Sequence, residues 1–515
     1  MRGLPEMRLR LQNSITSARQ QLRGSLLNFG TRKFWFFLLA ILSTLRALIP
    51  FMEDQKVFFA AAHQTQISGT PFPLGSYQQW EMKPWPARVL YFCLYRVFSF
   101  LYPEKPLFIF AVQFTVLVFA WLAIFLLAST LHKKANQNFI MFSILAIILV
   151  GPDSFLQVEY LALIISLFAI YFLARTNRNS NLFGEFLLIL VTCLKGSTIF
   201  FSILVVITVA QINNESFREH FKKYLRISLS NALAILLIWS ELLDRAVLQG
   251  VGDSSLKSIL VPSKLLEFVF GLKGAIIDFP FVIFIPFVTL LLVTRRNRLN
   301  FIFFGTLITV LFMYSLFLQK FFNYHYLYLL FFVLCGSILL CRDKLNFSTH
   351  EKVFGLTSGI AVFFIVIEFW TTINVLGSTI SSSNAGFSKI EVSANYFGRE
   401  RIVSKRLSQT LGNDKVLFLT DGVINFYLDN SSNCMEFYPI HFQRANQVEG
   451  GRFIIQSKWY KDFIKCATEY RGKHLLVQSS WMTGNEISTI IQDKYVRVEA
   501  IQSGYRYYDL YEIRN

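Results

Sequence analysis

Long apolar runs alternate with short polar segments over the first 380 residues of the chain. A helix that crosses a bilayer needs about 20 mostly apolar residues. The runs that meet or approach this length are 34–51, 106–130, 139–151, 155–173, 182–211, 227–245, 275–294, 300–318, 322–341 and 353–377. The run 182–211 is too long for one helix and carries Lys195 and Gly196 near its middle, so we predict two spans that turn there. The pattern therefore predicts eleven membrane-spanning helices.

The distribution of basic residues orients these spans. Cytoplasmic segments of membrane proteins carry an excess of Lys and Arg. With the N-terminus inside, all six predicted inner segments are net basic, and the outer ones are balanced or acidic. The inner segments are the basic N-terminus 1–33, LHKKANQN, ARTNRNS, SFREHFKKYLR, TRRNRLN and CRDK. The net charge of +18 is thus explained by membrane insertion, and we predict no nucleic-acid partner.

The chain after residue 377 lies outside in this topology and has a different pattern. The segments DKVLFLTDG, KHLLVQS, YVRVEAI and YRYYDLYEI have the character of strands, whereas GRERIVSKRLSQTL and EISTIIQDKY have the character of helices. We predict a small extracytoplasmic α/β domain over 386–515, joined by the linker Ser381–Ala385. Its Cys434 and Cys466 could pair in an oxidising compartment, but the sequence leaves this open.

Composition supports the same fold class. Hydrophobic residues make up 54% of the chain, charged residues only 16%, and there are 55 Phe, which excludes a single soluble domain. The basic segment 1–33 leads into the first apolar run without a small-residue cleavage site, so we expect a retained span. The predicted fold is mainly α: a polytopic membrane helical bundle over 34–380 that carries the small α/β domain.

The first outer loop, 52–105, contains the candidate chemistry. Glu53 and Asp54 follow the first span directly, and the simplest interpretation is a pair of solvated charges that ends a helix. The loop continues through GTPFP, and then two prolines around Trp85 open an aromatic-rich helix with Arg88 and Arg96. We expect this helix to lie along the membrane interface and to cover the neighbouring spans.

The ordered features of this region resemble the GT-C superfamily of membrane glycosyltransferases, which includes protein O-mannosyltransferases and aminoarabinose transferases of lipid A. Those enzymes carry an acidic pair after the first span, an aromatic, an Ala-rich helix, a G-x-P turn and a Lys-Pro before an interfacial helix. The matching positions here are Glu53 and Asp54, Phe58, Ala60–Ala62, Gly69–Pro73, and Lys83 with Pro84. Later features are an acidic residue before or in the fourth span (Asp153 or Glu159), Lys195 with Gly196, and KFFNYHYLYLL from Lys320. The intervening Trp85 departs from a commoner Lys-Pro-Pro.

The resemblance implies transfer of a sugar from a polyprenyl-phosphate donor to a glycan, lipid or protein acceptor outside the cytoplasm. An acceptor hydroxyl needs a general base, for which Asp54 is the first candidate and Glu53 the alternate. The phosphate leaving group needs cations rather than an acid. The donor-phosphate candidates are Lys83, Arg88, Lys195, Lys320 and His325. The cavity-lining candidates are Asp153, Glu159 and Tyr326.

Other functions stay open at this point. Carboxylates suit Mg²⁺ or Mn²⁺, but the sequence has no tight cluster of further ligands, so metal dependence is undecided. A transporter of lipid-linked glycans would place charges in broken helices accessible from both faces. An O-antigen polymerase or ligase and a structural membrane subunit are further alternatives. No Gly-rich loop follows a strand as in nucleotide-sugar sites, which favours a lipid-linked donor.

Overall fold

The computed structural model describes the central part of the membrane region and most of the C-terminal domain. The residues described are 37, 40, 41, 43–48, 51, 53–67, 84–130, 143, 147, 154–175, 177–213, 222, 225–233, 236, 323–342, 398–432, 434, 458–479, 486–503 and 506–514. The predicted linker Ser381–Ala385 and the predicted spans 275–294, 300–318 and 353–377 lie outside these residues.

The described residues of the first part of the chain are mostly helical. The helices are α1 (Glu53–Ile67), α2 (Trp85–Phe98), α3 (Lys105–Thr130), α4 (Val158–Leu173), α5 (Arg178–Leu194), α6 (Ile199–Asn213) and α7 (Leu327–Arg342). Short 3₁₀ turns at Ser99–Leu101, Gly196–Thr198 and Asn323–Tyr326 precede α3, α6 and α7. The predicted break near Lys195 is confirmed, because Lys195 is extended and separates α5 from the turn before α6.

Among the described residues, one helix is long and apolar enough by length and composition to cross a membrane, namely Lys105–Ser129 within α3. Its outward face carries Val118, Phe119, Leu122 and Phe125, which are 41–50% exposed, as expected for side chains that contact lipid. Shorter apolar helices occupy Val158–Leu173, Ile199–Asn213 and Tyr324–Gly336. The structure thus supports a helical membrane region, and the number of spans stays a prediction.

The helices pack closely at the centre of this region. α4 contacts α3, α5, α6 and α7 and is buried along most of its length. A Cβ added to Gly184 of α5 would lie 2.6 Å from Cγ of Leu173 in α4. Any larger residue at this position would therefore push α4 and α5 apart.

The predicted outer loop folds into two helices that cover the membrane region. Every residue of α1 from Gln55 to Thr65 is buried, because α2 packs beside it and the C-terminal domain packs over it. α2 begins at the two prolines, as the sequence predicts, and its Tyr91 packs on Phe58 with ring centroids 4.7 Å apart. Phe59 packs against Phe108 of α3 at 5.3 Å. These aromatic contacts fix the position of α1, which begins with the acidic pair.

The C-terminal domain is an α/β unit, as predicted. Its elements are α8 (Gly398–Leu411), β1 (Val416–Leu419), α9 (Lys458–Glu469), β2 (His474–Gln478), α10 (Glu486–Lys494), β3 (Tyr495–Ser503) and β4 (Arg506–Ile513). The strand order is β1-β2-β4-β3; β1 and β2 are parallel, and β4 is antiparallel to both of its neighbours. The sequence prediction missed α9, although Tyr460, Phe463 and Ala467 recur on one helical face.

The two faces of the sheet bury alternate residues of each strand. One face places Phe418, Leu476 and Leu510 in a core with α8 that continues into the membrane region. The other face places Leu417 and Val477 against α9 and α10. A disulfide between Cys434 and Cys466 ties α9 to the segment after β1, which resolves the pairing that the sequence left open.

The C-terminal domain docks directly on α1. The side-chain amide of Gln64 donates to the carbonyl of Asn430 at 2.8 Å and accepts from the backbone N–H of Ser432 at 3.0 Å. The Tyr102 hydroxyl donates to the carbonyl of Phe426 at 3.1 Å, and the Phe426 ring lies 6.0 Å from that of Phe51. The domain therefore holds the helix that begins with Glu53 and Asp54.

His63 joins the two parts of the protein through a polar contact at the same interface. Its Nδ1 lies 3.0 Å from the Tyr95 hydroxyl, and its Nε2 lies 3.4 Å from the Asp429 carboxylate. Burial lowers the pKa of His63 despite the contact with Asp429, and Lys105 lowers it further. The hydrogen bond from His63 in turn lowers the pKa of Asp429. At neutral pH, neutral His63 is therefore well placed to accept from Tyr95 and to donate to Asp429.

Acidification is expected to weaken this docking. Because the pKa of His63 is lowered when docked, protonation favours the undocked state as the pH falls below about 6.5, its ordinary value. Because a single proton is involved, the free energy of docking changes by at most about 1.4 kcal/mol per pH unit. The protection factor of segment 424–432, which is the intrinsic exchange rate divided by the observed rate at the same pH, should therefore fall between pH 7.5 and 5.5. In His63→Gln, which cannot titrate, this fall in the protection factor should vanish; the same pH dependence of protection in both proteins would refute the assignment.

Candidate functional site

The acidic pair occupies the first turn of α1. Glu53 and Asp54 are half-buried, and the positive end of the helix dipole favours negative charge at this position. The side-chain amide of Gln157 donates to Oδ2 of Asp54 at 3.0 Å. Asp54 is therefore a carboxylate held in one orientation rather than a solvated charge, which argues against the simplest interpretation of the pair.

Gln157 is itself positioned by a tightly held turn before α4. Gln55 donates to the carbonyl of Phe155 at 2.7 Å, and the Tyr91 hydroxyl donates to the carbonyl of Leu156 at 2.7 Å. Leu156 is fully buried with φ of 59°, a left-handed conformation that costs a non-glycine residue about 1–2 kcal/mol. Such strain persists only where the surroundings impose it. The contacts from α1 and α2 impose it here and present Gln157 to Asp54.

A buried ion pair begins two residues after Gln157, in the first turn of α4. Glu159, in the first turn of α4, forms an ion pair with Lys195 at the break between α5 and α6. The Glu159 side chain is 1% exposed and that of Lys195 is 27% exposed. Lys195 thus neutralises Glu159 and still reaches an accessible surface.

Aromatic residues before α7 close the other side of this ion pair. The Lys195 ammonium lies 5.0 Å from the centroid of the Tyr324 ring, and that ring packs edge-on against His325 at 4.6 Å. His325 lies within electrostatic range of both Glu159 and Lys195. One turn on, the Tyr328 hydroxyl donates to Oγ of Ser197 at 2.8 Å, which connects α7 to the Lys195 break.

The structure thus brings together most of the described residues that the sequence singled out. Asp54 contacts Gln157, Glu159 pairs with Lys195 two residues further along the chain, and His325 is connected to Lys195 through the Tyr324 ring. Tyr326 is buried at the start of α7, beside His325. Three further candidates, Lys83, Asp153 and Lys320, lie outside the described residues.

Arg88 is buried, not exposed at an interface as the sequence suggested for α2. It lies one turn before Tyr91, whose hydroxyl holds the Leu156 carbonyl, and so belongs to the same buried face of α2. The exposed side of the helix carries Trp85, Arg96 and Val97 instead. The interfacial position therefore suits Arg96, and Arg88 faces the interior near the turn.

Gln157 and Tyr324 are the site residues that sequence reasoning missed. Gln157 is a polar residue among apolar neighbours in SFLQVEY, and this was a usable signal because polar groups within spans tend to face functional interiors. Tyr324 was hidden in a run of aromatics. In the part of the chain that the structure describes, no three His, Cys, Asp or Glu residues lie close enough to hold a metal ion.

No protein-family profile and no curated protein matches the sequence. The structure, by contrast, is similar to ArnT from Cupriavidus metallidurans in the apo state, with a TM-score of 0.54 and 11% identity over 93% of this chain and 98% of that one. ArnT from the same organism bound to undecaprenyl phosphate gives a TM-score of 0.48 and 10% identity over the same shares. The likeness to the apo structure shows that this chain has an ArnT-like fold.

Proposed function

We propose that the protein is a membrane glycosyltransferase that moves a sugar from a polyprenyl-phosphate donor to an acceptor outside the cytoplasm. The observation that carries the proposal is the oriented Asp54 carboxylate, linked through the start of α4 to the cation Lys195. A transfer of this kind needs a base for the acceptor and positive charge for the leaving phosphate. The ArnT-like fold supports the same reaction class.

Asp54 is the proposed general base. The acceptor hydroxyl loses its proton to the carboxylate as its oxygen attacks the anomeric carbon, and the bond from that carbon to the phosphate oxygen breaks. A positioned base contributes about 10²- to 10⁴-fold to such a step. Gln157 orients the carboxylate through its hydrogen bond to Oδ2. A single displacement inverts the anomeric carbon, and Glu53 is the alternate base.

The leaving phosphate is proposed to bind near Lys195. A phosphate ester departs as a weak base, so cations that stabilise its charge suffice and no proton donor is needed. Lys195 stays partly exposed while it pairs with Glu159, so it can contact both. His325, Arg88, Lys83 and Lys320 are the further proposed phosphate ligands, and Asp153 and Tyr326 are proposed to line the cavity. A divalent cation at the acidic pair remains compatible with two carboxylates.

The acceptor side is proposed to be extracytoplasmic. Disulfides persist in oxidising compartments, and the Cys434–Cys466 bond belongs to the domain that covers α1. The basic segments lie on the opposite side of the predicted spans. A multi-pass protein of the cell membrane, with its catalytic face outward, accounts for both observations.

The decisive experiment follows a labelled sugar. Full-length protein in vesicles would be supplied with polyprenyl-phosphate sugars and candidate acceptors, and the products would be separated by mass. We expect a new glycosidic bond and release of polyprenyl phosphate. Movement of the intact lipid-linked sugar across the vesicle without bond formation would instead establish a transporter, and assembly of longer lipid-linked glycans would establish a polymerase.

A further inference from the structure

The C-terminal sheet has a groove beyond the helices that cover it. Successive outward residues of β4 on one face are Tyr511, Asp509 and Tyr507, paired across to Arg497, Ala500 and Gln502 of β3. Tyr511 still packs into the core with α9 and α10, but Tyr507 is 53% exposed. Between them the face opens into a cavity of about 630 Å³, lined also by Ser479 at the end of β2.

A paired set of charges lies at the base of this groove. One carboxylate oxygen of Asp509 lies 3.2 Å from Nε of Arg497, and the other accepts a hydrogen bond from Ser479 at 2.9 Å. Both partners fix the orientation of Asp509, whose side chain is 9% exposed, while the Arg497 side chain is 56% exposed. The groove therefore combines oriented polar groups with tyrosine rings and has no excess of either charge.

This chemistry favours a neutral, hydroxyl-rich ligand. Binding sites typically place a few fixed polar groups among aromatic side chains, and their volumes run from about 300 to 1,000 Å³. Sugar hydroxyls both donate and accept, so they can use Arg497 and Asp509 together, and the apolar face of a sugar ring can stack on Tyr507. A phosphate or another anion would meet the Asp509 carboxylate.

The position of the groove indicates which part of an acceptor it would hold. The opposite face of the sheet packs with α8 in the core that continues into the membrane region, so the groove faces away from α1 and the acidic pair. A ligand there is remote from the reacting hydroxyl. Binding energy from such remote contacts selects substrates and offsets the cost of orienting the reacting group.

We propose that this groove binds the distal sugars of a glycan acceptor, so that the C-terminal domain selects extended saccharides. The inference rests on the proposed function only in calling the saccharide an acceptor. Saccharide binding itself can be measured without transfer. The ligand class is a neutral oligosaccharide long enough to extend from the groove towards α1.

The test uses detergent-solubilised full-length protein on an array of neutral and anionic oligosaccharides, with no donor present. Wild type should bind neutral oligosaccharides, and Tyr507→Ala should bind them about tenfold more weakly because a stacking surface is lost. Val496→Ala is the matched control, since Val496 is about as exposed as Tyr507 but lies on the neighbouring strand β3, next to Arg497 and on the opposite face of the sheet. It should bind as wild type does, and all three proteins should show the same thermal unfolding.

Failure of this inference is distinct from failure of the proposed function. Asp54→Asn protein should bind the array as wild type does, whether or not it transfers sugar. The proposal is overturned if wild type binds no neutral oligosaccharide, if it prefers phosphorylated ones, or if Tyr507→Ala binds equally well.

Discussion

Asp54→Asn is expected to lower the rate of sugar transfer by about 10²- to 10⁴-fold, the usual contribution of a positioned general base. The substitution keeps the shape of the side chain, and the asparagine oxygen can still accept from Gln157, so the turn before α4 should stay intact. The loss should therefore appear in kcat with unchanged thermal unfolding. Single-turnover transfer with a labelled donor measures it.

Two neighbouring variants make this result specific. Glu53→Gln removes the other carboxylate of the same helical turn and should cost far less if Asp54 is the base. Gln157→Leu removes the hydrogen bond that orients Asp54 and should cost about 10- to 100-fold, the value of a hydrogen bond to a charged group. Full activity in Asp54→Asn would refute the proposal that this carboxylate is the general base. A larger loss in Glu53→Gln than in Asp54→Asn would make Glu53 the base and Asp54 the alternate.

Elements with a strong local period were predictable from the sequence. Helix α8, Gly398–Leu411, coincides with the segment GRERIVSKRLSQTL. Strands β1, β2 and β4 fall within their predicted segments, and β3 extends two residues beyond YVRVEAI. The break at Lys195 was also predictable, because a Lys-Gly pair in an apolar run is a local signal. Helix α9 was predictable as well, because its apolar residues repeat at helical spacing.

Contacts between distant residues were not predictable in the same way. Lys195 and Glu159 were both singled out as charges within apolar runs, but their pairing depends on how α4 and α5 pack around Gly184. Gln64 meets Asn430 across 366 positions of sequence. The docking of the C-terminal domain on α1 follows from a surface fit between two folded units, and no period or spacing in one sequence encodes it.

This docking changes how a deletion of the C-terminal domain should be interpreted. Removing residues 386–515 takes away the proposed acceptor site and also exposes Phe51, Tyr102 and Phe108, the aromatic side chains that Phe426 contacts. Lost activity would then not distinguish recognition from support of α1. Point variants in the groove and at His63 separate the two roles, because each affects one surface only.

The Lys195–Glu159 ion pair should be essential for stability as well as activity. Lys195→Met leaves the Glu159 carboxylate buried without its lysine, and breaking a buried pair in this way costs about 3–5 kcal/mol. Thermal or detergent unfolding should show a large loss. The double variant Lys195→Met, Glu159→Leu removes both charges and should recover most of the stability, since replacing a whole buried pair by apolar residues is often close to neutral.

Activity in the double variant decides what Lys195 does. If Lys195 stabilises the leaving phosphate, the double variant is folded and inactive, whereas Lys195→Arg, which keeps a cation beside Glu159 and Tyr324, retains part of the activity. If the pair serves only to hold α4 against the α5–α6 break, the double variant recovers activity together with stability. Recovery of both would make Glu159 and Lys195 a structural pair and remove Lys195 from the phosphate site. His325 and Arg88 would then be the described candidates that remain for contact with the phosphate.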